Sequence, residues 1–139
     1  MFVGLYEYSV DLKGRLFIPA KFRAEKHFIV TIGLDMCLYI YPKYTWKKLE
    51  TKLELLEFKD KSEERAFKRV LLAGATEVKP DGQGRILIPS NLRNYAKIKD
   101  GVVIIGVANK IEVWAKEVWH SYNKLAEKIF AKHAASLEL

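Results

Sequence analysis

Two stretches of this chain read almost alike. Residues 11–23 are Asp-Leu-Lys-Gly-Arg-Leu-Phe-Ile-Pro-Ala-Lys-Phe-Arg, and residues 81–93 are Asp-Gly-Gln-Gly-Arg-Ile-Leu-Ile-Pro-Ser-Asn-Leu-Arg. Six of the thirteen positions are identical and most others are conservative. The same register pairs Gly4 with Gly74 and Glu7 with Glu77 upstream. Downstream the likeness resumes with a shift of three, matching Gly33 to Gly106, Leu38-Tyr39-Ile40-Tyr41 to Ile111-Glu112-Val113-Trp114, and Trp46 to Trp119. A duplication of this extent requires two like supersecondary units built from one plan. The extra residues fall within 94–101, so the second copy is expected to carry a longer loop there.

Each copy has the same local logic. A strand is expected near residues 5–10, ending in a turn in which Asp11, and again Asp81, caps backbone N–H groups two residues on. Gly14 and Gly84 fall where such turns often need a left-handed backbone. A short strand follows (Leu16-Phe17-Ile18; Ile86-Leu87-Ile88), then Pro19 or Pro89, which suits the first turn of a helix because it has no N–H to lose. Short helices are expected near 20–26 and 90–96. Two hairpins come next, Phe28 to Ile32 with Cys37 to Tyr41, and Val102 to Val107 with Lys110 to Trp114. A helix closes each copy, with apolar stripes at Trp46, Leu49, Leu53, Leu56 and at Trp119, Tyr122, Leu125 or Ala126, Ile129. A linking helix should start at Asp60, with Glu63 completing a capping box, and run through Phe67, Val70 and Leu71. Strands this short cannot bury a sheet face alone. The copies are therefore expected to interleave into one closed barrel with shared strands, an α+β, β-rich fold with internal pseudo-two-fold symmetry and flanking helices. Residues 1–139 then form one domain, with halves at 5–47 and 75–119 and a C-terminal helix at 120–139.

Composition bounds the function classes. Lys and Arg number 24 against 17 acidic residues, a net charge of +7, which favours polyanionic partners. Half the residues are hydrophobic, a globular composition. No signal-peptide pattern opens the chain and no run approaches membrane-spanning length, so a cytoplasmic protein with no membrane partner is expected. The one cysteine, Cys37, lies in an apolar run and reads as a buried free thiol.

Sites for catalysis or metal were sought first. His27, His120 and His133 are far apart, no paired-cysteine or His-Glu-x-x-His spacing occurs, and no Ser or Cys has a local base. Neither a catalytic residue, a metal site nor a cofactor is expected. Asp11 and Asp81 have the residue type for acid–base work across the pseudo-dyad, but turn capping accounts for both without a substrate. Gly82-Gln83-Gly84 lacks the further spacing of a phosphate loop. What remains is the arginine after each turn glycine. A turn needs no guanidinium, so Arg15 and Arg85 stand open to two compatible readings. In one, each pairs with its own aspartate and braces the turn. In the other, they share a basic face with Lys13, Lys21, Arg23 and Arg93 that meets phosphates and base edges of double-stranded DNA.

The opening Met-Phe-x-Gly and the two Asp-x-x-Gly-Arg segments quoted above resemble the MraZ family of bacterial transcription regulators, whose members carry two tandem SpoVT/AbrB-type halves. The resemblance spans the full length. It implies a double-split β-barrel of swapped-hairpin, AbrB-like type, a ring-like homo-oligomer, and binding to short repeats in the promoter of the division and cell-wall gene cluster, in the cytoplasm and on the nucleoid. It places the family motif on Asp11 and Arg15, and on Asp81 and Arg85. Copy two has Gly82-Gln83 for Leu12-Lys13 and Asn91 for Lys21, so copy one is expected to dominate contact with DNA. An AbrB-like protein-interaction module, such as an antitoxin, is the alternative.

Overall fold

The computed structural model describes residues 1–139. Copy one comprises strands β1 (Phe2–Ser9), β2 (Arg15–Phe17), β3 (Phe28–Ile32) and β4 (Leu38–Pro42), with helix α1 (Lys43–Leu55). The linking helix α2 (Lys61–Gly74) leads into copy two, which comprises β5 (Thr76–Val78), β6 (Arg85–Leu87), α3 (Ser90–Tyr95), β7 (Gly101–Ala108), β8 (Lys110–Ala115) and α4 (Lys116–Ala134). The fold is α+β. Of the two short helices expected after the motif, only α3 forms; copy one has a single 3₁₀ turn at Ala20–Phe22. Pro19 and Pro89 sit one position earlier than expected, at the N-caps of those segments.

The strands are exchanged between copies. Six form one antiparallel sheet in the order β1-β7-β8-β4-β3-β5, so β1 of copy one pairs with β7 of copy two and β5 of copy two pairs with β3 of copy one. At the centre β4 meets β8, with Tyr39 opposite Glu112 and Leu38 opposite Val113. A pseudo-two-fold axis passes through that pair. A second axis position lies in the separate ribbon of β2 and β6, where Leu16 faces Ile86, flanked by Arg15 opposite Leu87 and Phe17 opposite Arg85. The expected closed barrel is not formed. β1 and β5 remain as edges, and β2 and β6 hydrogen-bond only to each other in the ladder, because the chain turns sharply at each motif as it leaves the sheet.

The copies match with one offset that sequence alignment misplaces. Phe28 lies opposite Pro42 and Val102 opposite Ala115, so Phe28 corresponds to Val102, and Gly33 does not correspond to Gly106. Strand parity decides the point, since a slip of one residue would reverse every side chain. Phe28 and Val30 share the main core with Val102 and Ile104. Gly106 instead faces Gly4 across the β1–β7 ladder, where an added Cβ would strike the Phe2–Val3 backbone.

One apolar core draws on both copies. Leu16, Ile18, Ile86 and Ile88 from the ribbon, with Phe22 and Leu92, pack on one sheet face against Val30, Leu38, Ile40, Ile104, Ile111 and Val113. The other face takes the helices. Trp114 meets Trp119 edge to face at 5.3 Å and lies tilted at 4.8 Å from Tyr122 of α4, and Tyr41 lies 5.8 Å from Trp46 of α1. α2 crosses β3, where the Thr31 hydroxyl donates to the Leu71 carbonyl at 3.1 Å. The stripe of α4 is only half covered: Leu125, Ile129 and Phe130 are exposed. No helix is long and apolar enough to cross a membrane.

Candidate nucleic-acid interface

Each motif folds into the same closed turn. Asp11 N–H donates to the Arg15 carbonyl at 3.0 Å, and Gly14 N–H donates to the Asp11 carbonyl at 2.9 Å. In the second turn, Asp81 N–H reaches Arg85 O at 2.8 Å and Gly84 N–H reaches Asp81 O at 2.9 Å. The aspartate fills each turn from inside. Asp11 Oδ1 accepts from the N–H groups of Lys13 and Arg15, both at 2.9 Å, and Oδ2 accepts from Arg15 Nε at 2.6 Å. Asp81 does the same for Gln83 N–H, Arg85 N–H and Arg85 Nε, each at 2.9 Å. The Arg15 N–H, opposed by partial desolvation and joined by the guanidinium and the Lys13 N–H, holds the Asp11 carboxyl below its ordinary range. Asp81 is lowered in the same way, first by the Arg85 N–H.

The turn glycines have two independent reasons to be glycine. Gly14 and Gly84 adopt φ of 85° and 83°, a region other residues enter only with strain. Each also yields space to an arginine of the other copy. A Cβ on Gly14 would lie 2.8 Å from Arg93 Cζ, and one on Gly84 would strike the Arg23 guanidinium. Arg93 Nε further donates to the Ile88 carbonyl at 3.0 Å. Arg23 and Arg93, expected on the basic face, each lie against the turn of the other copy. The ribbon is closed by two more cross-copy bonds, Ile18 N–H to Gly84 O at 3.0 Å and Ile88 N–H to Gly14 O at 2.8 Å.

Period-two alternation then sorts the ribbon. Leu16 and Ile86 point into the core, while Arg15, Phe17, Arg85 and Leu87 lie on the outer face, with Phe17 and Leu87 exposed. A groove of about 390 Å³ crosses this face and brings Arg15, Arg85 and Lys13 together with Lys79 and Asp81. Lys79 was not among the expected residues. It occupies the position of Ser9 in copy one and returns to the second turn a charge that Gln83 lacks relative to Lys13. Aligning the two copies upstream of the motif would have revealed it. Lys21 stands exposed on the Ala20–Phe22 turn and lines neither this groove nor the depression beside turn two formed by Arg23, Lys26 and Lys79. In each arginine Nε is committed to its aspartate, and no hydrogen bond within the chain uses Nη1 or Nη2 of Arg15 or Arg85. The two carboxylates do not face a shared reaction centre: both oxygens of each accept from their own turn. Cys37 is buried, its thiol donating to Leu34 O at 3.2 Å, and burial pushes its pKa up.

Comparison with known proteins agrees with this two-fold construction. The family described as "MraZ protein, putative antitoxin-like" matches twice, over residues 1–70 and 71–139. A protein named Transcriptional regulator MraZ from Caldanaerobacter subterraneus subsp. tengcongensis is 49% identical over 140 residues, covering 99% of this chain and 97% of its own. Its namesake in Desulforamulus reducens is 46% identical over 139 residues, with 99% and 97% covered. The one in Desulfitobacterium hafniense is 47% identical over 139 residues, with 99% and 96% covered. Likeness of this extent, borne by both copies and the helix that joins them, establishes that the chain belongs to the MraZ family.

Proposed function

We propose that the chain is a sequence-specific DNA-binding transcription regulator that reads the major groove with the β2–β6 ribbon. The observation that carries this reading is the outer face of that ribbon. Two guanidiniums project from it, each fixed through Nε by its own aspartate, with both terminal nitrogens left for an outside acceptor. Arginine meets guanine O6 and N7 through such a pair of donors. A ribbon with three residues per strand is about 10 Å long. It enters a major groove about 12 Å wide, which admits a two-stranded ribbon. Arg15 and Arg85 are assigned to base edges, and Lys13, Lys79 and Lys21 to phosphates. Asp11, Gly14, Asp81 and Gly84 build the turns, with Arg23 and Arg93 supporting them. The names of the relatives support the regulatory role.

The same reading extends to the finer expectations. The exchange of strands between copies supports a double-split, swapped-hairpin arrangement in one pseudo-symmetric unit, despite the open sheet. Ring-like self-association is supported by the exposed apolar end of α4, and short promoter repeats upstream of the division and cell-wall cluster are the matching target. Several weak ribbons held on successive repeats bind tightly through effective concentration. The chain acts in the cytoplasm, on the nucleoid, and carries no catalytic activity.

Footprinting and affinity on promoter duplex test the assignment. Arg15→Ala is expected to lose on the order of 1–3 kcal/mol and to relax base preference where it reads. An unchanged footprint and affinity would overturn it. A second reading, an antitoxin-like protein-interaction module, is favoured by an apolar groove of about 500 Å³ between α1 and α2, lined by Leu49, Leu53, Phe67 and Val70 among others. A stable complex with a second protein in gel filtration, with no promoter binding, would select it.

A further inference from the structure

The extra residues of copy two lengthen the helix after the motif and not the loop that follows it, since 96–100 and 23–27 are equal in length, and α3 ends in an unusual way. Ile98 N–H donates to the Arg93 carbonyl at 2.9 Å and Lys97 N–H to the Asn94 carbonyl at 3.2 Å, the paired bonds of a Schellman C-cap, with Ile98 buried beneath. The residue after the cap takes a left-handed backbone and is usually glycine. Here it is Lys97, at φ 59°. A lysine held there carries a steric cost that the cap itself does not require, so its side chain needs another explanation.

Position supplies one. The loop is fastened to turn one, since Val10 N–H, one residue before Asp11, donates to the Asp100 carbonyl at 2.8 Å. Arg93, which precedes the loop, lies against Gly14. Arg93, Lys97 and Lys99 line one open depression of about 600 Å³ beside that turn, with Asp100 and Glu117 as its acidic members. Three cations against two carboxylates leave an excess of positive charge. Turn two has a flanking depression of its own, with Arg23, Lys26 and Lys79 beside Glu25 and Asp81, so what is particular to copy two is the Lys97 cap and the bond from Val10.

We infer that the loop between α3 and β7 is a phosphate clamp: Lys97 and Lys99 hold the DNA backbone beside the base contacts of turn one. The inference rests on the DNA-binding reading and adds contacts outside the two motifs. It extends the footprint beside turn one beyond the motif itself.

The test is fluorescence anisotropy across a salt series. The duplex comes from the promoter upstream of the chain's own gene, with a shuffled duplex beside it. Lys97→Gly relieves the left-handed backbone, so its melting temperature is expected to equal or exceed that of the wild type. Its affinity should nevertheless fall about threefold to tenfold, with the slope of log K against log salt reduced by about 0.9. Preference for promoter over shuffled duplex should be unchanged. Lys99→Gln should lower the slope in the same way. Lys128→Gln removes one charge from α4 and should leave the slope as it was. Wild-type slope and affinity in Lys97→Gly and Lys99→Gln would overturn the clamp while leaving the ribbon assignment standing. An equal loss in Lys128→Gln would reduce the effect to net charge and also overturn it. Wild-type protein that binds neither duplex would overturn both readings.

Discussion

At the scale of single residues, the motif divides its labour. Aspartate and glycine make a turn, and the arginine is held by it. Gly14→Ala is expected to cost about 1–2 kcal/mol from the left-handed backbone alone, and more because the new Cβ displaces Arg93. Gly82, in the neighbouring turn, has nothing within 4 Å of an added Cβ, so Gly82→Ala should change stability by less than about 0.5 kcal/mol. Urea unfolding of the two variants makes the comparison. The aspartates impose a direction on pH dependence. Their folded pKa values are depressed, so their contribution is full above the ordinary carboxylate value and is lost as pH falls through the depressed folded values. The stability gap between wild type and an Asp11→Asn, Asp81→Asn variant should be widest at neutral pH and should narrow below about pH 4. A gap that stays constant across that range would remove the carboxylates from the turn's energetics. These turns were legible in the sequence because every bond in them spans four residues or fewer. The packing of Arg23 and Arg93 on the opposite turns was not, because it joins residues of different copies and depends on a tertiary approach that spacing does not encode.

Among the elements, local chemistry again fared best. The α2 start was readable from Asp60, whose carboxylate accepts from Ser62 N–H at 2.8 Å and Glu63 N–H at 3.2 Å. The reciprocal partner was misplaced: Glu64, not Glu63, reaches back, to Phe58 N–H at 2.9 Å. Asp60→Ala should destabilise the protein by about 1 kcal/mol, read as a lower urea midpoint with an unchanged slope. Both hairpins were anticipated from β-rich runs around a turn. Their offset was not, because identity at Gly33 and Gly106 outweighed side-chain parity in the alignment. The closed barrel was the largest misreading. Short strands do need partners from the other copy, and they find them, but the ribbon leaves the sheet at each motif turn and the ladder never closes. Burial of Leu16 and Ile86 against the sheet replaces the missing hydrogen-bonded closure.

For the whole molecule, the uncovered end of α4 sets the next expectation. Leu125, Ile129 and Phe130 are 57%, 49% and 63% exposed, on a helix whose first turns are packed under Trp114. Contiguous apolar surface of this kind marks an interaction site. An Ile129→Lys, Phe130→Lys variant should shift to smaller species in light scattering with its melting temperature kept. Its affinity should fall more on duplexes with several repeats than on a single repeat. An unaltered mass would show that this face is not a contact between copies of the chain. Charge and duplication were legible at this scale, and the exchange of strands between two like halves follows from the duplication. The most direct measurement is a salt titration of binding to promoter duplex with and without its repeats, for the wild type and for the Arg15→Ala, Arg85→Ala variant. Wild-type protein should prefer the repeats, with affinity falling steeply in salt, and the variant should lose that preference together with about 2–6 kcal/mol of binding. A double variant that still binds the repeats with wild-type affinity and preference would show that the ribbon is not the reading head.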